Sequence, residues 1–117
     1  MVEFKKIQKF SEKEFELIKI TQDVREFVEN SKVRNGVVFV IVSHTTAGIM
    51  VNESLPCLER DIETKLEELV PLHHDYAHSH FLPSYGAIGG NAPGHLKSML
   101  CGNHCVVPVI DGKMVLG

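Results

Sequence analysis

Gly36-Val37-Val38-Phe39-Val40-Ile41-Val42-Ser43-His44-Thr45-Thr46-Ala47-Gly48 is the stretch on which the fold turns. Residues 36–43 are β-branched or aromatic almost without a break, the composition of a central strand buried on both faces. Polar His44-Thr45-Thr46 marks the exit of that strand, so His44 is expected at a junction where the chain changes direction.

Upstream, Asn35-Gly36 closes a segment that reads as a helix. Thr21 is placed to act as its N-cap, Asp23 follows in the first turn, and Val24, Phe27 and Val28 fall at i, i+3, i+4. Before it, residues 2–10 and 14–20 alternate between apolar and polar around the break at Ser11-Glu12-Lys13, which predicts a hairpin with one wet face.

Downstream, Leu55, Leu58, Ile62, Leu66, Leu69 and Val70 recur with helical spacing opposite Glu59, Arg60, Glu63, Lys65, Glu67 and Glu68, and Pro71 stops this second helix. Residues 72–94 hold His73, His74, His78 and His80 together with Pro83, Gly86, Gly89, Gly90, Pro93 and Gly94, the make-up of a functional loop. A short helix is expected from about His95 to Cys101, ended by Gly102. Asp111-Gly112 then reads as a hairpin turn between strands at 105–110 and 114–116. So short a last strand suggests a protein, or an ancestor of it, that continued beyond Gly117.

The chain has 117 residues, 44% hydrophobic and 23% charged, which fits a single domain over 1–117 and is too apolar for disorder. Twelve basic against 15 acidic residues give a net charge of −3 with no basic stripe, so a nucleic-acid partner is not expected. The longest apolar run falls far short of the roughly 20 residues that span a bilayer. The N-terminus lacks a signal-peptide core, so no membrane association and a cytoplasmic location are expected. Cys57, Cys101 and Cys105 are odd in number and form no C-x-x-C pair, which argues for reduced thiols.

Chemistry concentrates in the histidines. His44 leaves the central strand, His78 sits in Tyr76-Ala77-His78, and His95 follows the glycine-rich Gly89-Gly90-Asn91-Ala92-Pro93-Gly94. Three junctional imidazoles make a polar pocket able to hold a divalent metal, zinc being the ion most compatible with them, with an open coordination position left over. Magnesium is the option if the substrate is a diphosphate. His95 at a helix start, with Gly90 and Asn91 before it and Thr45 and Thr46 as further donors, suits a phosphate or pyrophosphate. Asn52-Glu53 offers substrate contact at Asn52 and a general base or metal ligand at Glu53. Against these stand plainer readings: His44 capping its strand, glycines permitting a bend, threonines as ordinary strand residues, and Glu53 exposed or capping the next helix. His73, His74 and His80 have the weakest functional case.

Ser43-His44-Thr45-Thr46-Ala47-Gly48…Asn52-Glu53, Leu69-Val70-Pro71, Tyr76-Ala77-His78, Gly90-Asn91-Ala92-Pro93-Gly94-His95 and Val107-Pro108-Val109…Asp111-Gly112…Leu116-Gly117 occur in that order and together resemble the YjbQ-like family, described as secondary thiamine-phosphate synthases. The resemblance covers nearly the whole chain. It implies an α+β fold with a largely antiparallel sheet or sandwich and two main helices, assembled as a homotrimer with pockets near subunit junctions. It also implies the joining of hydroxymethylpyrimidine diphosphate to thiazole phosphate with release of pyrophosphate. Within that pocket His44, His78 and His95 would be the metal ligands, with Glu53 and His95 in catalytic roles. Two other readings stay open: a metal-dependent hydrolase of a small metabolite, and a non-catalytic trimeric protein that binds a metal or anion. The chain departs from the family pattern at Leu55-Pro56 in place of Asp-Pro, at Gly89-Gly90 and Gly94, and in lacking the tryptophan and further strand that follow Leu116-Gly117 in relatives.

Overall fold

The computed structural model describes residues 1–80 and 90–117. Its elements run α1 (Thr21–Asn30), β1 (Gly36–Ile41), α2 (Pro56–Leu69), α3 (Ala92–Cys101), β2 (His104–Ile110) and β3 (Lys113–Met114). Residues 77–80 are also helical. Helices and an antiparallel ladder make this an α+β fold. Backbone contacts group it into two compact units, Met1–Val40 with Cys105–Gly117, and Ile41–His104.

In the first unit a three-stranded sheet has the order β1-β2-β3. β2 and β3 run antiparallel, pairing Val109 with Met114 and Ile110 with Lys113. The turn between them is Asp111-Gly112, at φ 51° and 76°. Two successive left-handed residues give the twist that matches a two-residue hairpin, as the Asp-Gly pair predicts. The turn docks on the segment before β1: the Gly112 N–H donates to the Arg34 carbonyl at 2.7 Å and the Asp111 N–H to Asn35 Oδ1 at 3.2 Å. A Cβ at Gly112 would meet only the movable Arg34 guanidinium, at 2.6 Å, so it is the positive φ that calls for glycine here.

Val24 and Val28 of α1 pack with Val38, Val107 and Val109 to form the core of this unit, flanked by Ile7, Ile20, Phe27, Val40 and Met114. Burying each valine stabilises the fold by roughly 1.5 kcal/mol or more. The core is one-sided. Phe39 and Ile41 are 64% and 67% exposed, and Val37, Val106 and Ile110 are exposed with them. The expectation of a strand covered on both faces is therefore met on one face only. Alternation along a strand sends Val38 and Val40 one way and Val37, Phe39 and Ile41 the other, and the second set stays exposed among the described residues.

Two expected boundaries move. No strand forms within residues 1–20; Ile7 and Ile20 reach the core while Val2, Phe4 and Phe10 stay exposed, because alternation makes strands only where a partner edge is available. Thr21 is the first residue of α1 and Ile20 its N-cap, with no side-chain capping bond; the helix is held by its buried valines instead.

In the second unit α2 begins with Pro56 at its first position, where a missing N–H costs nothing, and ends one residue before the buried Val70 and Pro71. It matches the predicted 55–70 to within a residue at each end. Its apolar stripe is only half covered, and no α2 residue is buried. α3 starts at Ala92 rather than His95, since Pro93 supplies a helical φ in the first turn. Gly102, at φ 92°, ends it where expected. The two helices are joined by Lys97 of α3, whose Nζ lies 2.7 Å from Glu67 Oε2, while Glu67 Oε1 accepts from the Leu72 N–H at 2.6 Å.

Candidate functional site

The second unit contains an open cleft of about 580 Å³ lined by Val42, Ser43, His44 and Thr45 on one side and by His95, Ser98, Met99, Gly102 and Asn103 on the other. His95, Ser98 and Met99 stand at i, i+3 and i+4 on one face of α3, and Gly102 is its C-cap. The opposite wall is the chain just after β1. Three contacts fasten the walls together: Val42 N–H to the Asn103 carbonyl at 2.9 Å, Ile49 N–H to the Gly102 carbonyl at 2.9 Å, and Ser98 Oγ–H to the Thr45 carbonyl at 2.6 Å. Gly48 allows the approach. A Cβ there would fall 2.7 Å from Cys101 Cβ.

His44 is exposed and its orientation is set locally. The Thr46 N–H donates to His44 Nδ1 at 3.2 Å, and Thr46 Oγ1 lies 2.8 Å from the same nitrogen. His78 and His95 meet edge to face, their ring centroids 5.3 Å apart at 85°. His78 Nε2 is 2.9 Å from Asn91 Oδ1, an acceptor, so that nitrogen carries the proton. The His95 N–H is spent on the Asn91 carbonyl at 3.3 Å, and His95 thus closes the first turn of α3 instead of opening it.

Of the residues singled out in the sequence, His44, Thr45 and His95 line the cleft, Thr46 braces His44, and Asn91 and His78 form a second cluster that touches His95. Gly90 is at φ 80°, and a Cβ there would meet nothing within 4 Å among the described residues. Asn52 and Glu53 are exposed and outside the cleft lining; Asn52 Oδ1 accepts from the Glu53 N–H at 2.9 Å, a local turn contact. Pro83, Gly86 and Gly89 of the expected loop lie outside the described residues. His80 is paired with Asp75, whose carboxyl it holds below the usual range, and His74 meets Tyr76 edge to face. Burial pushes the Cys101 and Cys105 thiols up, which keeps them protonated. Ser98, Met99, Gly102 and Asn103 were not anticipated, although helical spacing from His95 points at the first three.

Among the described residues, no group of three or more His, Cys, Asp or Glu side chains is placed to hold a metal ion. The donor chemistry of His44 points the same way. A metal on Nε2 needs the lone pair there and the proton on Nδ1, but the Thr46 N–H already points at Nδ1. As arranged, the three rings do not make one ligand set.

Comparison with known proteins decides the family. The profile of the UPF0047 protein YjbQ-like family matches residues 5–117. The chain belongs to the YjbQ-like family. It is 42% identical over 102 residues to a UPF0047 protein of Methanothermobacter thermautotrophicus, covering 87% of this chain and 66% of that one. To a UPF0047 protein of Archaeoglobus fulgidus it is 40% identical, over 90% of this chain and 75% of the relative. Among solved structures, a YbjQ-like protein of unknown function from Sulfolobus solfataricus superposes with a TM-score of 0.80 at 36% identity, covering 90% of this chain and 71% of that chain. A YjbQ/UPF0047 protein from Clostridium acetobutylicum gives 0.79 at 33%, covering 92% and 77%. This YjbQ-like chain thus spans about two thirds to three quarters of the relatives it matches. No helix of the described residues is long and apolar enough to cross a membrane.

Proposed function

We propose that the cleft binds a phosphorylated small molecule and that the chain acts as a secondary thiamine-phosphate synthase-type transferase, working as a homotrimer. The observation that carries this reading is the placement of His44 and His95 in the lining of one cleft with the hydroxyl residues Ser43 and Thr45 and with Asn103. In such a transfer the thiazole nitrogen attacks the methylene carbon of hydroxymethylpyrimidine diphosphate. The carbon–oxygen bond breaks, and its electron pair leaves with pyrophosphate. Charge therefore grows on a phosphate oxygen, where imidazole and hydroxyl donors stabilise it. Magnesium would arrive with the diphosphate as part of the substrate, and no step is assigned to a resident metal. The exposed apolar face of the sheet supports self-association, since patches of this kind mark interaction surfaces.

The test is incubation of the purified chain with both substrates and magnesium, following thiamine phosphate and pyrophosphate separately. Product should form, and His95→Ala should lower its rate about 100-fold or more, the range for losing a group that donates to a developing charge. Pyrophosphate or phosphate release without thiamine phosphate identifies a hydrolase instead. Saturable phosphate binding with neither product identifies a binding protein.

A further inference from the structure

The geometry points to a role for Thr46 that the functional reading does not use: it sets the tautomer of His44 and thereby makes His44 a hydrogen-bond donor for an anionic oxygen rather than a ligand for a metal. A backbone N–H only donates, so the Thr46 amide, 3.2 Å from His44 Nδ1, requires a lone pair on that nitrogen. The Thr46 hydroxyl, 2.8 Å from the same Nδ1, donates to it as well. A neutral imidazole holds one proton, and with Nδ1 accepting, the proton sits on Nε2.

That assignment fixes the class of ligand. Histidines that bind a metal through Nε2 give their Nδ1–H to a carbonyl or carboxylate, which is the opposite arrangement. An Nε2–H on the cleft wall instead seeks an acceptor. Its neighbours agree with it. Asn103 also lines the cleft, its Oδ1 2.8 Å from His104 Nδ1 and its amide N–H groups able to donate. Ser43 and Thr45 are hydroxyl residues of the lining, which among the described residues holds no carboxylate that would repel an anion. The matching ligand carries phosphate or carboxylate oxygens. The inference rests on the reading of this cleft as a binding site but not on the transfer reaction.

Ring-nitrogen NMR tests it. Long-range proton–nitrogen spectra of the uniformly ¹⁵N-labelled chain, recorded near pH 8 where a free imidazole is neutral, report which nitrogen of each histidine is protonated. The His44 signals are assigned by their loss in His44→Gln. The expected result is a protonated Nε2 on His44. Thr46→Val keeps the amide and the side-chain volume but removes the hydroxyl, and should move the tautomer ratio toward Nδ1–H by roughly five-fold, the worth of one hydrogen bond. Thr46→Ser should restore the wild-type ratio. Inorganic phosphate at millimolar concentration should shift the His44 Nε2 signal, and an equimolar amount of zinc chloride should not. A protonated Nδ1 in the wild type, or zinc bound at His44 Nε2, overturns the inference. An unchanged ratio in Thr46→Val overturns the part assigned to the hydroxyl, and phosphate without effect overturns the ligand class. A protonated Nε2 in a protein that makes no thiamine phosphate would leave the inference standing and sink the synthase reading.

Discussion

Gly48 shows how much one missing side chain decides. Its position is crowded on three sides, with Cys101 Cβ at 2.7 Å and the Gly102 and Ser98 carbonyls at 3.2 and 3.3 Å from where a Cβ would stand. Two of those neighbours are backbone and do not yield. Gly48→Ala should therefore destabilise the protein by about 1–3 kcal/mol, the usual cost of overpacking, and loosen the wall that carries His44. Denaturant unfolding read alongside phosphate affinity checks both; unchanged stability would mean that the two walls do not approach as described. For the histidines the expectation is unequal. His95 lines the cleft and touches His78, whereas His73 and His74 are exposed outside it. His95→Ala should abolish ligand binding while His73→Ala and His74→Ala stay within a factor of about two, the error expected of neutral surface changes. Matched melting temperatures are the control, and equal losses across all three would remove His95 from the site. His44 and His95 were legible as candidates because each stands in a motif, residues 43–48 and the glycine-rich stretch 89–95; in the structure His44 follows β1 and His95 lies in the first turn of α3. For Glu53 the sequence left a base or metal ligand and a plain exposed residue evenly open, and the structure leaves it exposed and outside the lining.

Among the elements, α2 and α3 are linked through Glu67. The Leu72 N–H hydrogen bond, followed by that from Lys97, holds the Glu67 carboxyl below its ordinary value. A group whose pKa is lowered by folding contributes stability that is present above the unfolded value, about 4.3 for glutamate, and is lost as pH falls through the lowered native value. Wild-type protein should thus lose melting temperature on acidification below about pH 4.3. Glu67→Gln should melt lower at neutral pH and show a shallower acid limb. Melting curves across that range decide it, and parallel limbs would mean that Glu67 carries none of the acid sensitivity. Helix positions were largely readable: the repeat from Leu58 to Leu69 and the flanking prolines place α2, and the Asp111-Gly112 pair places the β2–β3 turn. The start of α3 was read three residues late because Pro93 and Gly94 look like loop residues, although proline is at home in a first helical turn. The alternation in residues 2–20 misled for another reason. A strand is a pairing, and local pattern says nothing of whether a neighbour is present.

For the molecule as a whole, the sheet face formed by Val37, Phe39, Ile41, Val106 and Ile110 is left exposed by the described residues. If it is the surface on which copies assemble, light scattering at micromolar concentration should give three times the 13.1 kDa chain mass, and Phe39→Glu should shift the protein to monomer by placing a charge at the centre of the contact. A wild-type monomer would refute the homotrimer. A trimer unaffected by Phe39→Glu would place the interface elsewhere.

The sequence by itself determined the period of each main helix, the hairpin turn and the family, and it singled out His44, Thr45 and His95, which stand in the lining of the candidate cleft; all of these follow from local spacing or from residues that act where they stand. Only the tertiary structure decided the rest: that the apolar β1 is covered on one face, that Ser98 and Asn103 join His44 across the cleft, and that the Thr46 amide aims at His44 Nδ1. Coverage, convergence and tautomer depend on which distant or folded-back groups come within a few ångströms of one another, and spacing along the chain does not encode that distance.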